Sequence, residues 1–332
     1  MKAAYIEQTG PPETIRYGDL PVPEVHGTEV LVKVAAVSVN PVDTYIRGGA
    51  HYWKLPQPFV LGCDLAGVVE AVGPESQKYQ PGDRVWCTNQ GLVGRQGTFA
   101  EYAAVDECWL YPIPEGVEDE TVAACSLVGV TAHLGLFGKA QIQAGDTIFV
   151  HGGTGGVGSM VIQMAKIAGA RVITTGATAA KVARCKELGA DVAINYKTED
   201  VAAALADFAP DGVDIFWETL REPNFDQIVN CMAERGRIVL IAGRETRPEF
   251  PVRPFYVKAL SMFGVVMFKV SSQEMRPCGE DINRWLAEKK LRANISKILP
   301  LSATATAHRL QEENTLGKAG TLAGKIVLRT SH

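Results

Sequence analysis

The spacing of apolar and polar positions changes twice along this 332-residue chain. In the first third, short apolar or β-branched runs follow one another with only Gly and Pro turns between them. These runs cover residues 2–7, 29–39, 65–73, 82–87 and 98–105. Strands without long helices between them are typical of an antiparallel barrel or sandwich. The first third therefore predicts a β-rich domain.

From about residue 119, short apolar runs alternate with helix-length segments, after an apolar stretch at 120–137 that is compatible with a helix. The six predicted strands span 147–151, 171–175, 192–196, 213–218, 237–242 and 262–268. Segments long enough for crossover helices lie at 157–168, 179–188, 198–208 and 225–234. This alternation predicts a six-stranded parallel sheet covered on both faces, which is the doubly wound Rossmann arrangement.

The last part of the chain leaves that alternation again. It predicts a helix at 272–289 and strands at 295–299 and 325–329. We expect this tail to return to the first domain. The predicted α/β protein then has a β-rich domain made of residues 1–123 and 269–332 and a Rossmann domain at 124–268.

The net charge and the cysteine pattern indicate which partners and which cellular compartment to expect. The formal net charge is −4 and no basic block is present, so we expect neither nucleic acid nor a membrane as a partner. The N-terminus has no apolar segment typical of a signal peptide. The seven cysteines are scattered without a C-x-x-C pair, which favours a reducing cytoplasm.

The most informative motif is the run HGGTGGVG at 151–158, directly after the first strand of the alternating region. Glycines in this context allow a tight turn, a close approach to a pyrophosphate and a helix N-terminus that attracts phosphate. A purely structural glycine turn is the alternative. The predicted phosphate-binding residues are Gly153, Thr154, Gly155, Gly156 and Val157.

The end of the second strand predicts which dinucleotide is bound. NAD sites usually carry an acid there for the ribose 2′-hydroxyl, whereas the run ITTGAT at 173–178 has none. Lys181, five residues after Gly176, could reach a 2′-phosphate, and Tyr196 ends the next strand on the same edge. Each alone fits an ordinary solvated lysine or strand-end aromatic. Together with the missing acid they favour NADPH.

Further residues follow the fourth and fifth strands, where open α/β sheets bind ligands. The predicted neighbours of the ribose and nicotinamide, mostly through backbone groups, are Glu218, Thr219, Ala242, Gly243 and Arg244. The histidines at 51, 133 and 151 have no acid partner at a recognisable spacing, so we expect them to be structural or exposed.

Three motifs together resemble a known superfamily. The runs VNPVDTYIR at 39–47, LGCDLAGVV at 61–69 and HGGTGGVG are similar to those of the medium-chain dehydrogenases/reductases, and most similar to zeta-crystallin-type quinone oxidoreductases. The resemblance extends to the ending GKIVL at 324–328. It implies a GroES-like catalytic domain built from both chain ends and a Rossmann domain between them.

The resemblance also implies roles for individual residues. Positions matching Lys181 and Tyr196 hold the NADPH 2′-phosphate, and those matching Pro41 and Thr131 contact the cofactor. Gly264 and Val265 match positions whose backbone holds the nicotinamide carboxamide. In this family the sixth strand, residues 261–268 here, joins two Rossmann sheets into a homodimer.

Alcohol dehydrogenases of the superfamily hold zinc through Cys, His and Cys. At the corresponding positions this chain has Asn40, Cys63 and, by our alignment, Leu127. One soft ligand is too few for zinc, even if an alignment shift brings Cys125 near. We therefore predict no metal.

Without a metal to polarise a carbonyl, the acceptor must itself be electron-poor, as a quinone or a conjugated carbonyl is. Asn40, Tyr45 and Tyr52 are the predicted hydrogen-bond donors to it, although Asn-Pro is also a common turn and Asp43 could simply cap a helix. The leading hypothesis is NADPH-dependent quinone reduction. The alternatives are reduction of an activated C=C bond (alkenal, enone or enoyl thioester) and a non-catalytic NADPH-binding protein.

Overall fold

The structure is a computed structural model that describes residues 1–50 and 53–330. It divides into two compact units, Met1–Val130 with Phe268–His332, and Thr131–Met267. This division and the boundary expected after residue 123 both fall within one helix, Asp119–His133. The second unit is thus an insertion in the sequence of the first.

The strands, in chain order, are β1 (Lys2–Ile6), β2 (Arg16–Asp19), β3 (Glu29–Val39), β4 (Phe59–Val60), β5 (Leu65–Val72), β6 (Arg84–Cys87), β7 (Tyr102–Asp106), β8 (Leu110–Pro112), β9 (Thr147–Val150), β10 (Arg171–Gly176), β11 (Val192–Asn195), β12 (Val213–Glu218), β13 (Met232–Leu240), β14 (Ser261–Gly264), β15 (Ile295–Pro300) and β16 (Lys325–Arg329). The α-helices are α1 (Pro41–Arg47), α2 (Asp119–His133), α3 (Gly156–Ile167), α4 (Ala179–Glu187), α5 (Val201–Phe208), α6 (Phe225–Cys231), α7 (Val252–Val257), α8 (Ser272–Ala287) and α9 (Thr304–Thr315).

The first unit is built on the long strand β3, which pairs antiparallel with β5, β7 and the last strand, β16. The larger sheet has the order β15-β16-β3-β5-β6-β8, and a smaller one has the order β2-β1-β4. Ile326 of β16 lies opposite Val39 of β3. Both ends of the chain therefore contribute strands to one sheet, and the predicted β-rich domain is confirmed.

The second unit contains a fully parallel sheet with the order β11-β10-β9-β12-β13-β14. Its central strand, β9, is entirely buried. Phe149 of β9 packs against Phe216 of β12, with ring centroids 4.8 Å apart and ring planes at 45°. The chain order reverses between β9 and β12, so ligands are expected at the carboxyl ends of these strands. The predicted six-stranded Rossmann sheet is confirmed.

Several predicted elements have different bounds in the structure. The helix expected at 225–234 ends at Cys231, because β13 already begins at Met232 and runs beside β12. The strand expected at 262–268 ends at Gly264 and is followed by a 3₁₀ turn, Met267–Lys269. Strand pairing stops once β13, its neighbour, has ended at Leu240.

Two helices were not predicted from the sequence. α7 is short and contains Pro254 in its first turns, and α9 begins with β-branched Thr residues that favour strands as much as helices. Both helices depend on packing that single-residue propensities do not show.

One apolar segment of the described chain, 119–139, is long and apolar enough to cross a membrane by length and composition alone. It comprises α2 and a following π-helical turn, Leu134–Lys139. Most of it is buried inside the protein. Core helices of globular proteins have the same composition.

Candidate functional site

The glycine-rich turn joins β9 to α3 at the carboxyl edge of the parallel sheet. Gly155 is the N-cap of α3, in an extended conformation, and it has no side chain with which to cap the helix. The N–H groups of the first helical turn consequently have no helical partner. Together with the helix dipole they form a binding site suited to a phosphate.

The glycines of this turn are required by close contacts within the chain. A Cβ on Gly153 would overlap Thr174 Oγ1 and lie 2.8 Å from Cys185 Sγ, and one on Gly158 would overlap the Gly152 carbonyl. Gly153 thus lets the turn pack on β10 and α4. At Gly155 a Cβ would be 3.2 Å from the Gly152 oxygen, so the helix start also tolerates little bulk.

The end of β10 presents hydroxyls rather than a carboxylate. Thr174 Oγ1 donates to the Val150 carbonyl at 2.7 Å, and Thr175 Oγ1 accepts the Gly152 N–H at 3.2 Å. Thr174 therefore links β10 to the end of β9, and Thr175 holds the glycine turn against β10. The acid that would bind a ribose 2′-hydroxyl is replaced here by residues that support the turn.

Two lysines and a tyrosine gather beside that strand end. Lys181 is half-buried in the first turn of α4, and burial and the positive charge of Lys197 lower its pKa. Tyr196 is 53% exposed, and its N–H donates to the Gly176 carbonyl at 3.2 Å. An anion bound here would relieve the repulsion between the two ammonium groups. The site fits a 2′-phosphate.

The structure gives His151 an acid partner that the sequence did not predict. His151 Nδ1 lies 2.9 Å from both carboxylate oxygens of Glu218, which is buried at the end of β12. No spacing in the sequence indicates this partner, because 67 residues separate the pair along the chain. The parallel pairing of β9 and β12 brings them together. Thr219 Oγ1 donates to the His151 carbonyl at 2.8 Å.

The remaining predicted cofactor residues lie at the same edge of the sheet. Ala242 and Arg244 are exposed after β13, with Gly243 between them at φ 98°, and Gly264 is exposed at the end of β14. The Val265 N–H already donates to the Leu240 carbonyl at 2.9 Å.

Three more of the predicted contacts are less accessible. Thr154 and Thr131 are buried, and Val157 is half-buried. Contact of all these residues with a cofactor stays a prediction.

In the first unit, Asn40 lies in a closed polar cluster. Its Nδ2 donates to Asp64 Oδ2 at 2.8 Å and to the Ser38 carbonyl at 3.3 Å, while its Oδ1 accepts a hydrogen bond from Lys325 Nζ. Lys325 Nζ also donates to the Val39 carbonyl at 2.7 Å. Asn40 and Asp64 are fully buried, and Lys325 nearly so. The Asn40 amide thus has partners within the protein for all its polar atoms.

A second carboxylate, Asp43, adjoins this cluster. Its Oδ2 accepts the Asn40 N–H at 2.7 Å, and its Oδ1 accepts the Cys63 thiol at 2.9 Å. Burial raises the pKa of Asp43 to about 7, although the hydrogen bonds and Lys325 oppose the shift. Burial also raises the pKa of Asp64 and lowers that of Lys325, while each favours the charged form of the other.

These residues do not fit a metal ion at the positions that resemble zinc ligands. Burial and the Asp43 charge raise the pKa of the Cys63 thiol well above its usual range, whereas zinc binds the thiolate. The Lys325 ammonium places a positive charge beside Asn40. Within residues 1–50 and 53–330, no three His, Cys, Asp or Glu side chains group as metal ligands.

The other predicted residues of this unit lie around α1. Pro41 is the first helical residue and Tyr45 is half-buried on the same helix. Tyr52 and His51 lie outside the described residues.

Sequence reasoning missed Lys197, Asp64 and Lys325. It predicted Glu218 as a neighbour of the ribose and nicotinamide but not as a partner of His151. Lys197 directly follows Tyr196 and could have been found by counting cations near the strand end. The contact of Lys325 with Asn40 joins residues 285 positions apart, and no local pattern predicts it.

Comparisons with known proteins agree with this architecture. The model of the alcohol dehydrogenase GroES-like domain matches residues 26–115, and the model named zinc-binding dehydrogenase matches residues 156–283. The quinone oxidoreductase of Homo sapiens is 30% identical over 330 residues, which cover 99% of this chain and 97% of that protein. The chloroplastic NADPH-dependent alkenal/one oxidoreductase of Arabidopsis thaliana is 34% identical over 257 residues, covering 75% and 64%.

Solved structures are similar over the whole chain. An NAD-dependent alcohol dehydrogenase superposes with a TM-score of 0.89 at 32% identity and covers 100% of both chains. A mycobacterial protein in complex with NADPH superposes with a TM-score of 0.85 at 29% identity, covering 99% of this chain and 100% of that one.

The raised pKa of Asp43 predicts a specific dependence of the unfolding free energy on pH. Its pKa rises from 3.8 to about 7 on folding, so the folded protein binds this proton more tightly, and the stability that it contributes is lost as the pH rises through 7. Each unit of such a shift corresponds to about 1.4 kcal/mol. Asp43→Asn should therefore flatten the dependence of the unfolding free energy on pH between 4 and 8, as measured by urea denaturation.

The matched control is Asp207→Asn, which changes an exposed carboxylate and should leave the wild-type slope. An Asp43→Asn slope equal to that of the wild type would show that Asp43 does not titrate in this range.

Proposed function

The chain belongs to the quinone oxidoreductase family of the medium-chain dehydrogenase/reductase superfamily, and we propose that it reduces small quinones with NADPH by hydride transfer without a metal. The observation that carries this proposal is the family relationship over 99% of the chain. The paired ammonium groups of Lys181 and Lys197, at a strand end that lacks an acid, support the choice of NADPH over NADH.

The second unit offers a binding group for each phosphate of the cofactor. The turn at Gly153–Gly156 and the start of α3 would hold the pyrophosphate, and Lys181, Lys197 and Tyr196 would hold the 2′-phosphate. Gly176, the last residue of β10, lies close to Lys181: a Cβ on Gly176 would be 3.1 Å from the Lys181 Cβ. When bound, NADPH supplies a hydride, that is, two electrons and one hydrogen nucleus.

The acceptor's oxygen then gains negative charge, which a hydrogen-bond donor stabilises before a proton completes the hydroquinone. We assign this donor role to Tyr45, Tyr52 and Asn40. For Asn40 to donate to a substrate, its longer hydrogen bond, at 3.3 Å to the Ser38 carbonyl, would have to be exchanged. The other proposed cofactor contacts are Pro41, Thr131, Thr219, Ala242, Gly243, Arg244, Gly264 and Val265.

A second candidate function is the reduction of an activated C=C bond. The relative from Arabidopsis thaliana named alkenal/one oxidoreductase, at 34% identity, favours it. Hydride addition to a conjugated alkene also moves negative charge onto a carbonyl oxygen, so the same donors serve both reactions. The third hypothesis is a protein that binds NADPH without catalysing a reaction.

We further propose a cytoplasmic homodimer. The sheet edge at β14 is paired only with β13 in the described part of the chain. Around it, α7 exposes Val252, Tyr256 and Val257 at 63–64%, and Met262 of β14 is 41% exposed. Exposed apolar residues at an open edge favour pairing with a second copy. The cysteines of the described residues are all free, which fits a reducing compartment.

The acceptor is tested by steady-state kinetics with NADPH and 1,2-naphthoquinone, acrolein or crotonyl-CoA. We expect the highest kcat/KM with the quinone, because its acceptor carbon needs no further activation. A preference for either alkene would contradict quinone reduction. Tight NADPH binding without turnover on any of the three would support the non-catalytic reading.

The cofactor preference is tested at the lysine pair. Lys197→Met and Lys181→Met should each weaken NADPH binding by about tenfold or more and leave NADH binding unchanged, since only NADPH carries the 2′-phosphate. Binding is followed by the fluorescence of the reduced nicotinamide. Lys186→Met changes an exposed lysine on the same helix and serves as the control. Equal loss for both cofactors would argue against a 2′-phosphate site.

The dimer is tested by light scattering during size-exclusion chromatography. The wild type should elute with about twice the mass of one chain, and Met262→Lys should yield monomers, because a lysine on an edge strand opposes pairing. A monomeric wild type, or a dimer that the substitution leaves intact, would contradict dimerisation through β14.

A further inference from the structure

His151, which is partly buried, and Glu218, which is buried, form a pair at the point where the order of the parallel strands reverses. His151 follows the last residue of β9 and Glu218 is the last residue of β12. The two strands are neighbours in the sheet. His151 Nδ1 lies 2.9 Å from each carboxylate oxygen of Glu218, whose side chain is 2% exposed.

The surroundings fix both the tautomer and the orientation of the imidazole. Glu218 Oε1 also accepts the Leu220 N–H at 2.6 Å. Carboxylate oxygens accept hydrogen bonds, so these contacts favour the tautomer with its hydrogen on His151 Nδ1. The ring meets the rings of Phe149 and Phe216 edge to face, with centroids 4.8 and 5.1 Å away.

The pair also joins the glycine-rich turn to the loop after β12. The His151 carbonyl accepts the Thr219 hydroxyl at 2.8 Å, and the His151 N–H donates to the Trp217 carbonyl at 3.0 Å. With the bond from Leu220 to Glu218, these contacts connect His151 to four successive residues of the other segment. The imidazole–carboxylate bond is therefore part of one set of hydrogen bonds that also holds Thr219 against His151.

The sheet order indicates which half of a dinucleotide lies beside this pair. On the proposed function, the pyrophosphate lies at the turn after β9, and the 2′-phosphate lies at Lys181 and Lys197, which follow β10 and β11. β12 is on the opposite side of β9 from β10. A dinucleotide that crosses the carboxyl edge of the sheet thus has its nicotinamide half on the side of β12.

We propose that His151 and Glu218 are positioning residues for the nicotinamide half of the cofactor, acting through Thr219 in the loop after β12. The inference rests on the proposed binding of NADPH. The pair makes no contact with the adenosine half in this proposal. Loss of the imidazole donor should therefore affect the two halves of the cofactor unequally.

The test compares binding of NADPH with that of 2′,5′-ADP, which contains only the adenosine half with its two phosphates. His151→Phe retains an aromatic ring but removes the donor to Glu218. We expect it to weaken NADPH binding by about tenfold and 2′,5′-ADP binding by less than about twofold. His151→Asn places an amide N–H near the position of Nδ1 and should restore most of the NADPH affinity.

His26→Asn is the matched control, because His26 is exposed in the first unit, and it should leave both affinities at wild-type values. Glu218→Gln preserves the shape of the side chain and removes its charge. If His151→Phe does not fold, Glu218→Gln carries the test, with selective loss of NADPH binding as the expected result.

Equal weakening of both ligands, or no change in NADPH binding, would overturn the positioning role while the proposed function stands. A wild type that does not bind NADPH would instead overturn the proposed function and this inference with it. Selective loss of NADPH binding with rescue by His151→Asn would support it, since a general loss of stability would affect both ligands.

Discussion

The first unit depends on the balance of charge around the Lys325 ammonium. Two buried carboxylates, Asp43 and Asp64, adjoin this buried cation, and the Asn40 side chain connects the cation to Asp64. Uncompensated buried charges are far more costly than paired ones. The cluster therefore keeps its members together, and with them the end of β3, the start of α1 and the first residue of β16.

In the second unit, by contrast, like charges lie near each other. Lys181 and Lys197 repel each other at the end of β10 and β11, and a carboxylate is missing from the strand end where many dinucleotide sites carry one. One unit thus neutralises its buried charges internally, whereas the other presents like charges that an anionic ligand would neutralise. The second unit therefore indicates the charge of its ligand, whereas the first unit does not.

The sequence was sufficient to predict what local pattern determines. The six parallel strands, the glycine-rich turn and the return of the C-terminal strand to the first domain all follow from runs of neighbouring residues. Contacts between distant residues were not predictable in this way: Glu218 beside His151 and Lys325 beside Asn40 depend on strand order and register. The length of β14 was also misjudged, because a strand ends where its partner ends and not where its own apolar residues do.

The position of β16 in the first sheet also constrains the order in which the chain folds during synthesis. The second unit is one continuous segment, so all its strands are available once residue 267 has been made. The first unit begins earlier but lacks β16, and with it Lys325, until residues 325–329 have been made. Until then Asp43 and Asp64 have no cation to accompany them into the interior. The nascent chain therefore completes its inserted domain before the domain that carries its N-terminus, the reverse of the usual N-to-C order.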